Sequence, residues 1–244
     1  MYNSTVVKTA KGVPPNMPGK REEEILYHAN RLFISNGYEN TTMRQIAQAA
    51  QVSLGLTTYH YKGKRQVAVV IIGRYLQYLK HVLEAFVDSE KDPLFSSSAM
   101  VHLAISFFTG FPCRQFYLDC LDNEIYAEAI RTQGNQSMRN IARVYEYGDS
   151  DDMLELFDNY ITTAVEKILI IGKERGEFKN TPYERVPEIV FSVSVDRFLS
   201  QDVIRSAVEQ GRAIAQRALA SIPKDITDTL FLPSEPADAE CETT

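Results

Sequence analysis

Cysteine and histidine are scarce in these 244 residues, and strand-like alternation is almost absent. Cys113, Cys120 and Cys241 are odd in number and show no CxxC spacing, and none of the four histidines lies beyond His102. Neither a disulfide framework nor a zinc site is expected, and no other metal or cofactor is called for. The longest uninterrupted apolar run is Val67–Ile72, far short of the about 20 residues that a membrane-spanning helix needs. The first residues lack the charged-then-apolar pattern of an export signal. The expectation is a soluble cytoplasmic chain without a membrane partner.

Charge is present but unevenly placed. Residues 1–64 hold eight Lys or Arg against four Glu, a net of +4, which leaves 18 basic and 28 acidic residues, a net of −10, for the remainder. A basic head on an acidic body follows, and any contact with a polyanion must be confined to the head. Within it, "TTMRQIAQAAQVSLGLTTYHYKGK", residues 41–64, carries Arg44, Lys62 and Lys64 and no carboxylate.

Periodicity between the two tails is helical. Residues 1–18, polar with three prolines, read as a flexible arm, and 223–244, acidic and proline-broken, as a disordered tail. Ile25, Ala29, Leu32 and Phe33 share a helical face, preceded by glutamates that suit a helix N-terminus and followed by Asn36-Gly37 as a stop. Thr42-x-x-Gln45 is a capping-box pattern opening a short helix through Ala49, and Ser53 caps another through about Tyr59. A long helix starts near Lys64 and runs to the mid-80s. Further helices are predicted at 94–109, 113–128, 131–147, 152–175, 183–200 and 205–220. The fold class is all-α.

Two short capped helices joined by three residues and braced by a longer one make a helix-turn-helix unit, whose second helix enters a major groove. Gly55 permits close approach, Thr57 and Thr58 offer hydroxyls and methyls, and Tyr59, His60, Lys62 and Lys64 are phosphate donors. The stretch "LFISNGYENTTMRQIAQAAQVSLGLTTYHYKGK" resembles the DNA-binding domain of TetR-type transcriptional regulators. Leu32, Phe33, Gly37, Tyr38, Thr41, Thr42, Ile46, Ala47, Ala50, Val52, Ser53, Gly55, Tyr59, His60, Lys62 and Lys64 fit that pattern in register. The resemblance implies that Thr42 and Arg44 meet the DNA backbone or a base edge, that Leu54, Gly55, Leu56 and Thr58 face bases, that Tyr59, His60 and Lys64 hold phosphates, and that Ser53 and Lys62 are also among the DNA-binding residues. Gln51 stands where the family usually has glycine.

By the same resemblance 19–64 is a three-helix DNA-binding domain and 65–222 a larger helical domain for effector binding and dimerisation. The expected partners are double-stranded DNA with a palindromic operator, a second copy of the chain and an apolar or aromatic small-molecule effector. Repression is the expected sign, with the protein on the bacterial nucleoid when bound to DNA. Family resemblance implies a ligand cavity among the middle helices, where Phe107, Phe108, Phe111, Phe116, Tyr117, Tyr126, Met138 and Tyr145 cluster in sequence. It also implies a bundle of two helices with their symmetry mates, for which Phe157, Ile161, Ala164, Val165, Ile168, Gly172, Ile189 and Val193 are candidates.

Two rival readings remain open from the residues. "DDMLE" at 151–155 superficially matches the acidic run with which helical prenyl-transfer enzymes hold magnesium, but no second acidic motif accompanies it and acids suit a helix start equally well. An architectural nucleoid protein controlled by a protein partner would use the same head. The chain is not expected to be an enzyme.

Overall fold

The computed structural model describes residues 19–134 and 136–233, so the expected arm at 1–18 and the last part of the tail lie outside the described residues. Among those described, every regular element is helical. The head comprises α1 (Lys20–Asn36), α2 (Met43–Ala49) and α3 (Leu54–His60), and α4 (Lys64–Glu84) leads from it into the body. Helix α1 begins with Glu22 and Glu23 in its first turn and ends at Gly37, whose φ of +80° is costly for any residue with a Cβ.

Packing does not stop where the head ends. One hydrophobic cluster runs from Ile25, Phe33 and Ile46 of the head through Val67, Ile71 and Tyr75 of α4 to Phe108, Phe116 and Tyr117 of the body. These last belong to α5 (Pro93–Gly110) and α6 (Arg114–Asp122). Phe33 stacks on Phe116 with ring centroids 4.9 Å apart. The turn after α1 is also gripped by α6, because Tyr38 N donates to Asp119 Oδ2 at 2.7 Å and Asn123 Nδ2 to Glu39 Oε1 at 2.8 Å.

Where one helix was expected over 113–128, the structure has two, α6 and α7 (Ile125–Thr132), because Glu124 takes a left-handed conformation at φ +59°. Arg65 holds this corner, donating to the carbonyls of Asn123 (2.7 Å) and Glu124 (3.3 Å) and to the Glu128 carboxylate (2.7 Å). The helix expected at 152–175 is interrupted by a π-turn at Phe157–Ile161, between α9 (Asp151–Leu156) and α10 (Thr162–Glu174). In that turn Asp158 Oδ2 accepts from Met138 N at 3.0 Å, which sets a carboxylate at the start of α8 (Ser137–Val144). Burial pushes the Asp158 carboxyl up to about 6.

The chain continues through a 3₁₀ turn, Tyr183–Arg185, into α11 (Val186–Val195) and α12 (Gln201–Ser221). Helix α12 lies so close along α5 that a Cβ on Gly211 would stand 2.3 Å from Ser98 Oγ and 2.9 Å from Ala99 N. The tail reading for 223–244 needs correction at its start. Residues 223–233 are folded, with α13 (Ile226–Thr229) and Ile226, Thr227 and Phe231 buried. Thr227 O accepts from Asn30 Nδ2 at 2.7 Å, the Asn30 Oδ1 accepts from Tyr75 OH at 2.9 Å, and the Phe231 ring sits edge-on to Tyr75 at 5.2 Å. This strap ties α1 to α4 because its apolar side chains find a partner face that its acidic composition does not announce.

Candidate nucleic-acid interface

Local chemistry builds the interface in three steps. Thr42 caps α2 reciprocally with Gln45: Gln45 N donates to Thr42 Oγ1 at 3.3 Å and Thr42 N to Gln45 Oε1 at 2.8 Å. Helix α2 then ends in Gln51 at φ +53°, with Val52 N donating to Ala47 O at 3.0 Å. Such a stop favours glycine, and Gln51 carries a strain of about 1 kcal/mol there. Finally Ser53 Oγ accepts from Leu56 N at 3.1 Å and starts α3.

Helix α3 has two turns with distinct faces. Thr57 is fully buried, its hydroxyl donating to Ser53 O at 3.1 Å, so the expectation that it offers a hydroxyl to DNA is corrected. Leu54, Gly55, Thr58 and Tyr59 point outward, with Leu54 40% and Tyr59 82% exposed, and Leu56 is half-buried at the edge. A Cβ on Gly55 would meet only Ser53 Oγ, at an unstrained 3.8 Å. The fold itself therefore does not need glycine at 55, whereas a surface approaching from outside would. Thr58 Oγ1 donates to Leu54 O and Gly55 O, both at 3.0 Å, so its proton is used within the helix and its lone pairs and methyl are left for a partner. Arg44 and Lys62 are exposed beside this face.

Two expected phosphate ligands are differently engaged. His60 Nδ1 lies 2.8 Å from Glu22 Oε1, bracing α3 against α1. Lys64 Nζ donates to Tyr38 O at 2.7 Å and stands 4.0 Å from the centre of the Tyr38 ring. In this conformation both are internal fasteners of the head, because each finds a close acceptor within the fold.

The head's sequence agrees with this geometry. Residues 25–70, from α1 into α4, match the family model described as bacterial regulatory proteins, tetR family. The head therefore matches the TetR-family DNA-binding domain. Relatives include the HTH-type transcriptional repressor KstR2 of Mycolicibacterium smegmatis, 30% identical over 80 residues that make up 33% of this chain and 39% of that protein. The HTH-type transcriptional regulator TcmR of Streptomyces glaucescens is 35% identical over 65 residues, 24% of this chain and 29% of that one. The chain thus aligns with well under half the length of these curated relatives. The solved structure of SmeT, the repressor of the Stenotrophomonas maltophilia multidrug efflux pump SmeDEF, shares the fold at 17% identity with a TM-score of 0.50, covering 76% of this chain and 95% of that one.

The residues expected to line an effector cavity in the body do not come together as a wall. Phe107, Phe108, Phe116, Tyr117 and Tyr126 are buried in one packed aromatic cluster, with Phe108 stacked on Tyr117 at 4.9 Å and Phe107 stacked on half-buried Phe111 at 4.5 Å. Met138 belongs to a separate core with Leu94, Ile141 and Phe191, and Tyr145 is exposed. Aromatic side chains fill this space, so they pack where lining was expected. Glu166 of α10 is enclosed among them, accepting from the hydroxyls of Tyr117 and Tyr126, and burial pushes its carboxyl up to about 7.

The residues expected at a dimer interface divide in two. On α10 Ala164 and Ile168 are exposed, Ile168 by 59%, and Val165 is half-buried, as are Ile161 at the end of the π-turn and Ile189 and Val193 on α11. Tyr160 and Leu156 extend this apolar strip. Gly172 is not available to a partner, since a Cβ there would meet Phe178 Cε2 at 2.5 Å, and Phe157 lies under the Arg197 guanidinium at 4.0 Å. Asp151 and Asp152 occupy the first turn of α9, where carboxylates complement the helix dipole, and Asp151 is paired with Arg139 at 3.4 Å.

The linkage between head and body, through Asp119, Asn123 and Arg65, has no signal in the sequence. No local pattern marks it, because its partners lie 58 to 84 residues apart.

Proposed function

We propose that this chain is a sequence-specific transcriptional regulator that binds an inverted-repeat operator as a homodimer and is released by a small-molecule effector. The observation that supports it most directly is the outward face of α3, where Gly55, unneeded by the fold, sits between Leu54 and Thr58 in a head that matches the TetR family model. Thr42, Arg44 and Lys62 flank that face and reach the DNA backbone. Leu54, Leu56 and the Thr58 methyl offer apolar contact suited to thymine methyls.

One head makes few contacts, so a symmetric pair reading two half-sites about one helical turn apart, or a multiple of it, supplies the specificity. The exposed strip of Tyr160, Ala164 and Ile168, with Ile161, Val165, Ile189 and Val193 at its margins, is the surface that joins two copies. Occupation of an operator blocks transcription, so the regulator is a repressor, working in the bacterial cytoplasm on the nucleoid. Release requires an effector that binds the DNA-competent state less well than the alternative.

Selection of binding sites from a random duplex pool by the purified full chain, with its mass measured by sedimentation, tests the proposal. An enriched inverted repeat and a dimeric mass are expected. Enrichment of only asymmetric sites, no enrichment at low salt, or a strictly monomeric mass would overturn it.

A further inference from the structure

Two polar atoms one turn apart on α5, Ser98 Oγ and His102 Nε2, are buried without a hydrogen-bond partner. His102 is 4% exposed, and its Nδ1 lies 2.8 Å from the Ser98 carbonyl. The carbonyl can only accept, so Nδ1 carries the hydrogen and Nε2 the lone pair. Burial lowers the pKa of this ring, which keeps it neutral and leaves Nε2 an acceptor. A buried acceptor without a donor costs on the order of 1–3 kcal/mol, so the site is suited to a molecule that brings one.

His102 lines an open cleft of about 410 Å³ between α5, the start of α11 and α12. Its walls are apolar at Ile105, Pro187, Ala215 and Leu219, and Arg212 stands at its edge, 3.5 Å from Glu188. The volume falls in the range of small-molecule sites. Of the body's aromatic side chains Tyr183 lines it, whereas Phe107, Phe108, Phe116, Tyr117 and Tyr126 do not. Charge of both signs lines the cleft, Arg212 and Glu184, and a carboxylate would also meet the Nε2 lone pair, so an uncharged ligand is favoured. An alcohol or phenol satisfies Nε2 and leaves its hydrocarbon part to the walls.

We propose that this cleft is an effector site, taking an uncharged, mostly apolar alcohol or phenol whose hydroxyl donates to His102 Nε2, an atom closed off in this conformation and reached as the ligand displaces the side chains around it. The effector role rests on the regulator reading above; the binding does not. Helix α5 carries the consequence onward, since residues following His102 on the same helix, Phe107 and Phe108, pack on Tyr75 of α4 with centroids 5.7 and 5.9 Å away. A ligand that shifts α5 is therefore one helix removed from the element that holds the head.

The test uses the purified full chain without DNA, titrated with 2-naphthol and 4-hydroxybiphenyl, each against its parent hydrocarbon. Binding is followed by calorimetry and by the ¹⁵N resonance of His102 Nε2. The hydroxylated compounds are expected to bind roughly tenfold more tightly than the hydrocarbons and to move that resonance. His102→Phe should equalise each pair, and Gln216→Trp, at an exposed position on the cleft's edge, should weaken all four at least about tenfold while leaving the fold intact. An unmoved Nε2 resonance, undiminished discrimination in His102→Phe, or undiminished binding in Gln216→Trp would each overturn the assignment. DNA selection by the same preparation separates the two readings. Selected DNA with no response at His102 sinks the cleft alone, and a response at His102 without DNA binding upholds the cleft as a ligand site while removing the regulator.

Discussion

Replacing Glu166 by glutamine should change how stability depends on pH, and the structure fixes both sign and size. Glu166 is 5% exposed, and burial raises its carboxyl from an ordinary 4.5 to about 7 against the pull of the Tyr117 and Tyr126 hydroxyls. Between those two values the folded chain keeps a proton that the unfolded chain has released. The native state thus binds more protons, and stability falls as pH rises from about 4.5 through about 7. At 1.36 kcal/mol per unit, a shift of about 2.5 units costs the wild type on the order of 3 kcal/mol by pH 8. Glutamine has no proton to lose and keeps an acceptor for the tyrosines. Urea unfolding of wild type and Glu166→Gln at pH 5.5 and pH 8 should therefore show their difference moving by about 2 kcal/mol in favour of the variant. Asp158 and His28, whose pKa values are also displaced by burial, act on both proteins alike and cancel in that difference. Parallel pH profiles for the two proteins would refute the reasoning. Tyr117→Phe removes one donor to the carboxylate and should steepen the decline with pH.

Phe231→Ala removes a ring that is 1% exposed and packed on Tyr75, and chemical denaturation should register a loss of about 3–5 kcal/mol, whereas a loss under about 1 would mean that the strap does not pack. Gln51→Gly relieves the left-handed residue at the end of α2 and should raise stability by about 0.5–1 kcal/mol in thermal melts, with operator affinity unchanged. Arg44→Ala should flatten the dependence of log affinity on log salt by about one unit, measured by fluorescence anisotropy. Lys64→Ala, which loses the bond to Tyr38 O, should lower stability by about 1.5–3 kcal/mol; a flattened salt slope with unchanged stability would instead return Lys64 to the phosphates.

The head was legible in the sequence because its signals are local. Thr42 with Gln45, Ser53 before Leu54 and Gly37 after Asn36 are each completed within a few residues, and the structure places a cap or stop at every one. Side-chain direction within the head was less legible. Lys64 and His60 have the right chemistry for phosphates, but their nearest partners, Tyr38 O and Glu22, lie 26 and 38 residues away in sequence. In the body, Glu124 breaks a helix without glycine or proline because Arg65 holds the corner from α4, and the π-turn at 157–161 keeps the chain helical on both sides and so leaves periodicity nearly undisturbed. Aromatic content alone could not tell a cavity wall from the filling of a core, and the cleft beside His102 is assembled from three helices that only folding brings together.

The strap at 226–231 also sets an order of assembly. It is made after α1 and α4 but covers Asn30 and Tyr75 between them. During synthesis, which proceeds from the amino terminus, the first helix waits with an uncovered side until almost two hundred further residues have left the ribosome. Helix α1 is therefore made long before the segment that completes it, and a chain stalled or ended ahead of the strap would present it incomplete.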